Sequence, residues 1–470
     1  MSHTSSKSKS SSPRREFLKS AGAVCATGFA GAFAPPVSPC AGGAGGTLAA
    51  TSATAPSETL ALKGGKPAVS IKRPSVFRWP PYGQAEKNAL IAALDENDCS
   101  SFYLVLQKLE AAWREYNGVP YAKTFMNGTS ALLAMYFALD LPPGSEIMVP
   151  SYTFFGTITT MRFFGYVPVF VDVNPRTATF DIEHAKKVLN PRVRAMVPMH
   201  SWGMPCEMDH ICDFAKQHDL IVLEDCAHAH GASMQGKKVG TWGRMGIYSL
   251  QGSKPLPGIE GGLGVYQRRE DFERATTLGH YEACTPGTPV ENGGFSPDSP
   301  YLKYAGTGLG LKLRMHPLAA ELTLKQLEKL DRQNALIKSQ VRKINDRICQ
   351  LPGLSEPVCR KDQDRVYYFG NTLFLDEATA GISRPALVAA LKAEGVNVSV
   401  WEYPENHKCA IYGEPRWWHH PVDVPKTLPG SDEVNRRAIN LALFYQDAPE
   451  LCDQYIAAIE KVWTHRKELA

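Results

Sequence analysis

The sequence has no Cys-x-x-Cys pair, no second cluster of ligands at zinc-type spacing, and almost no net charge beyond its first forty residues. Its eleven cysteines are scattered from Cys25 to Cys452, which argues against a small disulfide framework and for reduced, mostly buried thiols. The formal charge is +4 over 470 residues. Lys7, Lys9, Arg14, Arg15 and Lys19 stand against Glu16 near the start, so the remainder is about neutral. No basic patch is interleaved with aromatics, and nothing points to nucleic acid or an anionic surface as partner. The apolar stretch at residues 21–34 is too short and too rich in glycine to cross a bilayer. What is present is 44% hydrophobic and 21% charged residues. That is enough to bury a large core, in two to four domains by length or in one large α/β enzyme.

The beginning of the chain reads as an address rather than as fold. Residues 1–12 are rich in Ser and Lys, followed by Pro13-Arg14-Arg15-Glu16-Phe17-Leu18-Lys19 and the mild apolar stretch. Paired arginines, Phe-Leu after one spacer and then apolar residues form the order of a twin-arginine export signal, which a disordered basic tail would not need. Residues 1–40 are therefore expected to be a signal segment and residues 41–60 a flexible linker of small residues and proline. The expected location is exported, periplasmic or otherwise extracytoplasmic, with no stable membrane span after processing. Cytoplasmic retention is the alternative if the signal is inefficient.

The stretch that organises the rest is residues 221–262. The apolar run Ile221-Val222-Leu223 ends in Glu224-Asp225, and Ile247-Tyr248-Ser249-Leu250 leads to Gly252-Ser253-Lys254 and the loop Gly258-Ile259-Glu260-Gly261-Gly262. A short buried strand thus delivers a carboxylate, and another delivers a lysine beside hydroxyls and exposed backbone. This suits pyridoxal phosphate: the lysine forms a Schiff base with the aldehyde, and an acid keeps the pyridine nitrogen protonated so that the ring accepts electrons. Small and hydroxyl residues let the phosphate approach. Singly, Asp225 reads equally as a strand end and Lys254 as a solvated side chain. Cys226, His228 and His230 with Asp225 also suggest a metal cluster, since alternate positions of an extended segment share a face. The lack of a partner group at zinc spacing weighs against that reading, and no metal is expected.

Along the chain, helical spacing covers residues 84–97 and 104–117. Asn127-Gly128-Thr129-Ser130 opens a third helical run at 131–139. Alone it reads as a helix cap by Asn127 or Thr129; with Lys254 downstream, an anion seat for phosphate is favoured. A short strand at 146–150 precedes Ser151-Tyr152-Thr153-Phe154-Phe155, where an aromatic either stacks on a flat ring or fills the core. Strands at 167–173 and 195–199 alternate with helices at 182–189 and 208–218, the rhythm of a mostly parallel sheet covered by helices on both faces. Sites in such sheets gather at the carboxyl ends of strands, and Thr153, Asp225 and Lys254 all follow predicted strands. Residues 317–351 read as one long helix with room for a bend, followed by a strand at 366–375, a helix at 384–394 and a strand at 396–401. Trp417-Trp418-His419-His420 reads either as a substrate contact or as packing and a surface turn.

Asn-Gly-Thr-Ser-Ala-Leu (127–132), Pro-Ser-Tyr-Thr-Phe (150–154), Glu-Asp-Cys-Ala-His-Ala-His-Gly (224–231), Ser-Leu-Gln-Gly-Ser-Lys (249–254) and Glu-Gly-Gly (260–262) occur in one order. Together they resemble the DegT/StrS sugar-aminotransferase family, from about residue 74 to the end of the chain. The resemblance implies an α/β protein of the fold-type I, aspartate-aminotransferase-like class. It implies a large domain at 61–315 and a linking helix with a smaller C-terminal α/β domain at 316–470. It further implies that Lys254 carries the cofactor, Asp225 binds its ring nitrogen and His228 lies by its phenolic oxygen, where relatives often have Gln. Phe154 would stack on the ring, while Gly128, Thr129 and Ser249 hold the phosphate. A homodimer would lend a residue in trans from the segment containing Lys312, where relatives usually have Asn; a lysine neutralises phosphate without copying the amide's hydrogen bonds. Pro255 after the lysine is a second departure, fixing φ and removing a donor. The implied reaction is a ping-pong transamination from glutamate or glutamine to a keto sugar, free or nucleotide-linked, or a keto cyclitol. A dehydratase of the same family is disfavoured by the lysine, which such relatives replace with His. A non-catalytic binding protein on this fold is the third reading.

Overall fold

The computed structural model describes residues 59–96, 104–281 and 295–469. The expected export segment and nearly all of the expected linker lie outside them. In chain order the strands of the first part are β1 (Tyr121–Phe125), β2 (Glu146–Pro150), β3 (Val167–Val171), β4 (Val193–Met196) and β5 (Ile221–Asp225). A short hairpin follows, β6 (Ser233–Met234) and β7 (Lys237–Lys238), and then β8 (Met245–Ser249) and β9 (Gly262–Tyr266). Seven of these build one sheet in the order β1-β9-β8-β5-β4-β2-β3. The β5–β8, β4–β5, β2–β4 and β2–β3 pairs are parallel, and β9 runs antiparallel to both neighbours. This mixed, mostly parallel sheet is the expected one.

Both faces of the sheet are covered, as parallel strands require. The helices are α1 (Gln84–Asp95), α2 (Leu104–Asn117), α3 (Gly128–Leu139), α4 (Ile182–Val188), α5 (Met208–Gln217) and α6 (Arg269–Thr277). Alternation decides which core a residue joins. Ile147 and Val149 of β2 pack with Ala131 and Met135 of α3, whereas Met148 packs with Met208 and Ile211 of α5. The glycine loop expected at residues 258–262 runs into β9, which starts at its last glycine. Its glycines are needed because a Cβ on Gly262 would stand 2.3 Å from the Asn127 carbonyl oxygen, so the chain's own close packing hides an otherwise apolar strand.

The expected single helix at 317–351 is two helices, α7 (Pro317–Leu327) and α8 (Leu330–Ile348), separated at Glu328 and Lys329. The break has a polar cause. Lys329 bonds through its ammonium to Glu86, a buried carboxylate on α1 that also accepts Gln326 Nε2 at 2.7 Å and the Gly83 N–H at 2.7 Å. Beyond α8 lie β10 (Leu354–Ser355), β11 (Gln363–Asp364), β12 (Asn371–Leu375), α9 (Arg384–Ala393), β13 (Val398–Val400), α10 (Pro429–Arg437), β14 (Ala438–Leu441) and α11 (Pro449–Thr464). β10, β12, β14 and β13 form an antiparallel sheet in that order, and β11 joins the β6–β7 hairpin.

The strand expected at 366–375 begins only at Asn371, because Val366 donates its N–H to the Gly203 carbonyl at 3.2 Å instead of to a strand. At the start of the described chain, Leu60 is buried in one core with Val69, Ile348, Leu373 and Ile459, so the expected linker ends before residue 60. The seven cysteines whose state is described are free; Cys206, Cys226 and Cys452 are buried, while Cys359 and Cys409 are exposed. Among the described residues, no helix is long and apolar enough to cross a membrane.

Candidate active site

Asp225 is the last residue of β5, in register with Ile247 of β8, and is 2% exposed. Its Oδ2 accepts the Thr157 hydroxyl at 2.7 Å and its Oδ1 accepts the Ala227 N–H at 3.0 Å. Burial pushes this carboxyl up; the Thr157 and Ala227 hydrogen bonds and the positive charge of Lys254 offset only part of that rise. A carboxylate has about four acceptor positions, so Asp225 keeps capacity for a charged N–H. Such a donor would remove the electrostatic cost of burying it.

Lys254 follows β8 in a turn, its own N–H donated to the Gln251 carbonyl at 2.8 Å. The side chain is half-buried, with Nζ 4.5 Å from the centre of the Tyr368 ring, a cation–π contact. Among the described residues this ammonium has no hydrogen bond or ion pair. Tyr368 is itself fixed: its hydroxyl lies 3.0 Å from Ser253 Oγ, and its ring is 4.3 Å from His228 and stacked at 6.2 Å on Trp202. His228 is buried and stacks on Trp202 at 5.1 Å. Burial holds its imidazole far below its ordinary pKa, and Lys254 and His230 lower it further. Nδ1 accepts the Trp202 N–H at 3.4 Å, so the neutral ring carries its proton on Nε2 and is a donor there.

Gly128 and Thr129 open α3 against the end of β8. A Cβ on Gly128 would stand 2.8 Å from Ser249 Cβ, so only glycine lets the helix start approach that serine. Asn127 Oδ1 caps the helix by accepting the Ser130 N–H and hydroxyl, both at 2.8 Å. The cap takes neither the Gly128 nor the Thr129 N–H group, so it is compatible with the expected anion seat. A Cβ on Gly156 would meet the Phe154 ring at 3.0 Å and Thr129 Oγ1 at 3.1 Å, so the missing Cβ lets both side chains approach this glycine. Phe154 is 43% exposed, its ring 4.1 Å from the Phe155 ring and tilted to it by 40°. A lysine without a counter-ion, a carboxylate with spare acceptors, a glycine-tight helix start and a partly exposed aromatic ring fit pyridoxal phosphate.

Lys312 is not brought to this cluster within one chain: it is exposed, and no hydrogen bond or ion pair ties it to the residues around Lys254. The weighed metal set is not assembled either. Cys226 instead lies near His200 and Glu224, all three buried and their donor atoms within 4.8 Å of one another. Glu224 accepts the Gly240 and Gly243 N–H groups at 2.7 Å each and meets His200 Nε2 at 3.2 Å, while His200 Nδ1 accepts the Cys206 N–H at 3.0 Å. Both imidazole nitrogens are thus used, and the group is a hydrogen-bonded strut beneath Asp225. In the Trp-Trp-His-His stretch, Trp418 is buried with its indole N–H on the Ile411 carbonyl at 2.9 Å, and His420 meets Glu146 at 3.0 Å. Packing accounts for both.

Sequence reasoning missed Thr157, Trp202 and Tyr368. Thr157 had a local signal, standing four residues after Thr153 on a helical turn, with the two hydroxyls 3.0 Å apart. Tyr368 comes from the far half of the chain and carried none.

Fold and site together define a class: α/β proteins that present a lysine and a carboxylate at the carboxyl edge of a seven-stranded sheet, beside a helix start pressed on a serine. The sequence matches the DegT/DnrJ/EryC1/StrS aminotransferase family over residues 81–460, and the chain belongs to that family. Over 290 residues it is 33% identical to a protein of Streptoalloteichus tenebrarius provisionally named L-glutamine:3-amino-2,3-dideoxy-scyllo-inosose aminotransferase. That match covers 61% of this chain and 66% of the relative, just under two thirds of its length. The aminotransferase of Psychrobacter cryohalolentis superposes with a TM-score of 0.71 at 24% identity, covering 83% of this chain and 99% of that one. The GDP-4-keto-6-deoxy-D-mannose-3-dehydratase of E. coli, solved with bound hydrated pyridoxal phosphate, gives 0.69 at 21% identity, covering 82% and 100%. At these identities the likeness shows the fold, which is the one expected.

Proposed function

We propose that this protein is a pyridoxal-phosphate-dependent aminotransferase that moves an amino group from glutamate or glutamine to a keto sugar or keto cyclitol in two half-reactions. The observation that carries this reading is the uncompensated ammonium of Lys254 beside the buried carboxylate of Asp225, with the Gly128–Ser249 contact next to them. Lys254 would hold the cofactor covalently, Asp225 its ring nitrogen, and His228 Nε2–H its phenolic oxygen. Phe154 would cover the ring, and Gly128, Thr129 and Ser249 would hold the phosphate. When bound, the cofactor supplies an electron sink for the carbon that loses or gains the amino group.

The protein's own part is to orient and to move protons. Thr157 and the Ala227 amide fix the Asp225 carboxylate so that it holds one proton on its partner nitrogen. Lys254 Nζ would serve as the acid–base group that takes a proton from the substrate carbon and delivers it to the cofactor. Trp202 and Tyr368 keep water from this side by their packing on His228. The glutamine-dependent relative, acting by its name on an amino-dideoxy inosose, supports the donor and the cyclitol class. The intact Lys254 speaks against the dehydratase reading.

A homodimer that brings Lys312 to the partner's site, export by the N-terminal segment, and a division of the chain into domains at 61–315 and 316–470 belong to the same proposal. The seven-stranded and four-stranded sheets, each drawn from one part, support the division, and β11 crosses it by joining the β6–β7 hairpin. The test uses the purified protein with added pyridoxal phosphate. A visible absorption band should appear, bleach with glutamine or glutamate, and return with a keto cyclitol; borohydride should fix the cofactor mass to the Lys254 peptide. A protein that stays colourless, or a band inert to both donors, refutes the reading.

A further inference from the structure

The segment that follows β2 is gripped from the far half of the chain. Tyr152 and Glu405 pair in an isolated antiparallel bridge, which sets the short turn Asn406–Lys408 beside Ser151-Tyr152-Thr153. Two clamps follow. His407 donates its N–H to Ser151 Oγ at 3.0 Å and brings Nδ1 within 2.8 Å of the same oxygen. Asn406 donates its backbone N–H to the Ser151 carbonyl at 3.0 Å, and its Nδ2 to the Ser151 and Thr153 carbonyls at 3.0 and 2.6 Å. The Asn406 amide oxygen in turn accepts the Tyr412 hydroxyl at 3.3 Å. Ser151, Thr153, Asn406 and His407 are all buried, so a lost donor here leaves a bare acceptor that water does not reach.

Holding Ser151 takes only His407 and the Asn406 backbone. The Asn406 side chain reaches past Ser151 to Thr153, and Thr153 leads to the site. Thr153 Oγ1 lies 3.0 Å from Thr157 Oγ1, whose proton goes to Asp225 Oδ2 at 2.7 Å. A hydroxyl has one proton to give. Thr157, donating to Asp225, therefore accepts from Thr153, and both protons run toward the carboxylate. A β-branched side chain is stiff about χ1, so fixing the Thr153 backbone also fixes where its hydroxyl points. Asn406, Thr153, Thr157 and Asp225 thus form one chain of hydrogen bonds, from the C-terminal part of the protein to the end of β5.

We propose that Asn406 is a positioning residue for Asp225, acting through Thr153 and Thr157 to aim the carboxylate at the ring nitrogen of the cofactor. The proposal rests on the pyridoxal-phosphate reading of the site. Its experiment uses the full-length protein freed of cofactor, titrated with pyridoxal phosphate and with the 1-deaza analogue, in which a carbon replaces the ring nitrogen, and followed by tryptophan fluorescence. Wild type should bind pyridoxal phosphate at least about tenfold more tightly than the analogue, the scale of one charge-assisted hydrogen bond. Asn406→Ala should cut that preference about fivefold, the scale of one buried hydrogen bond. Asn406→Asp keeps the shape and the acceptor for Tyr412, and should cut it likewise if the alanine variant fails to fold. Thr153→Val should act in the same direction, with Thr153→Ser retaining more of the preference, and joining Thr153→Val to Asn406→Ala should add little, because both lie on one path. Ser151→Ala breaks the His407 clamp alone; it should lower the melting temperature and leave the preference unchanged. An Asn406 variant that weakens both compounds equally, or a Ser151→Ala protein that loses the preference as fully, would overturn the proposal and leave Asn406 a structural tie. Wild type that binds neither compound sinks the aminotransferase reading itself, whereas wild type with the preference and Asn406 variants that keep it in full sink the positioning role alone.

Discussion

Thr157 and Asp225 join a one-turn helix, Gly156–Thr159, to the end of β5, and their hydrogen bond sets the chemistry of the carboxyl group. Burial raises the pKa of Asp225 above its ordinary value. For an acid whose folded pKa is raised, the folded state binds the proton more tightly than the unfolded chain. The cofactor-free protein is therefore most favoured by this group below the unfolded value of about 4, and that contribution is lost as pH rises through the folded pKa. Asp225→Asn removes the buried charge, and Thr157 can turn its proton toward Thr153. Without cofactor at neutral pH, the variant should be at least as stable as wild type in thermal melts, the difference closing toward pH 4. Its donor half-reaction should slow by roughly 10²–10³-fold, the scale of losing one preorganised electrostatic partner. A less stable variant at neutral pH, or an undiminished rate, would show that the carboxylate is compensated by some other group.

Tyr368 adds a second test at this scale. Its ring face meets the Lys254 ammonium and its hydroxyl meets Ser253. Tyr368→Phe keeps the face and should retain added cofactor through dialysis nearly as wild type does. Tyr368→Leu removes the face that meets the ammonium and should weaken that retention. Equal retention in both variants would reduce Tyr368 to packing.

At the scale of elements, two contacts decide how the site is framed. The start of α3 reaches β8 only because residue 128 lacks a Cβ, which would be 2.8 Å from Ser249 Cβ. Gly128→Ala should cost about 1–3 kcal/mol in denaturant unfolding, the range for forced overpacking, and should weaken cofactor retention in dialysis. Adding Ser249→Gly should recover stability without recovering retention, because the serine hydroxyl is then missing. The second contact is Glu86 with Lys329 and Gln326 at the α7–α8 break. Burial pushes Glu86 up, yet the Lys329 and Gly83 bonds bring it below its ordinary value. Its stabilisation is therefore present above the unfolded value of about 4.3 and is lost as pH falls through the depressed folded pKa.

These elements also show what a linear reading reaches. The alternation of short apolar runs with helical spacing announced the parallel sheet, and the carboxyl ends of β5 and β8 announced Asp225 and Lys254, because each signal is local. β9 was hidden by glycines, of which Gly262 makes room for Asn127, more than a hundred positions earlier, and Gly264 for Tyr266 and Phe125. The α7–α8 break was hidden because Lys329 answers a carboxylate on α1, and Tyr368 because its partner is Lys254. In each case the determinant is a pair distant in sequence, which periodicity does not register.

At the scale of the whole molecule, the described chain begins by crossing to its own end. The Ala61 and Ala68 N–H groups donate to the Glu394 carboxylate at 2.7 and 2.9 Å, and Lys461 of α11 pairs with the same carboxylate at 2.9 Å while donating to the Lys66 carbonyl. Glu394 and Lys461 are both buried, and Leu60 and Val69 lie in the core beside them. Leaving a buried acceptor without its hydrogen-bond donors costs about 1–3 kcal/mol, and burying an aliphatic side chain contributes about 1.5–3 kcal/mol. Deleting residues 1–58, the expected export segment and linker, should leave the unfolding midpoint in place. Deleting residues 1–71 should lower stability by several kcal/mol, since it strips Leu60 and Val69 from the core and leaves Glu394 with a single partner. Urea unfolding of the two truncations, each with cofactor bound and removed, makes the comparison. Equal midpoints would mean that the Glu394–Lys461 pair holds nothing at the start of the chain, and that the fold proper begins later than Leu60.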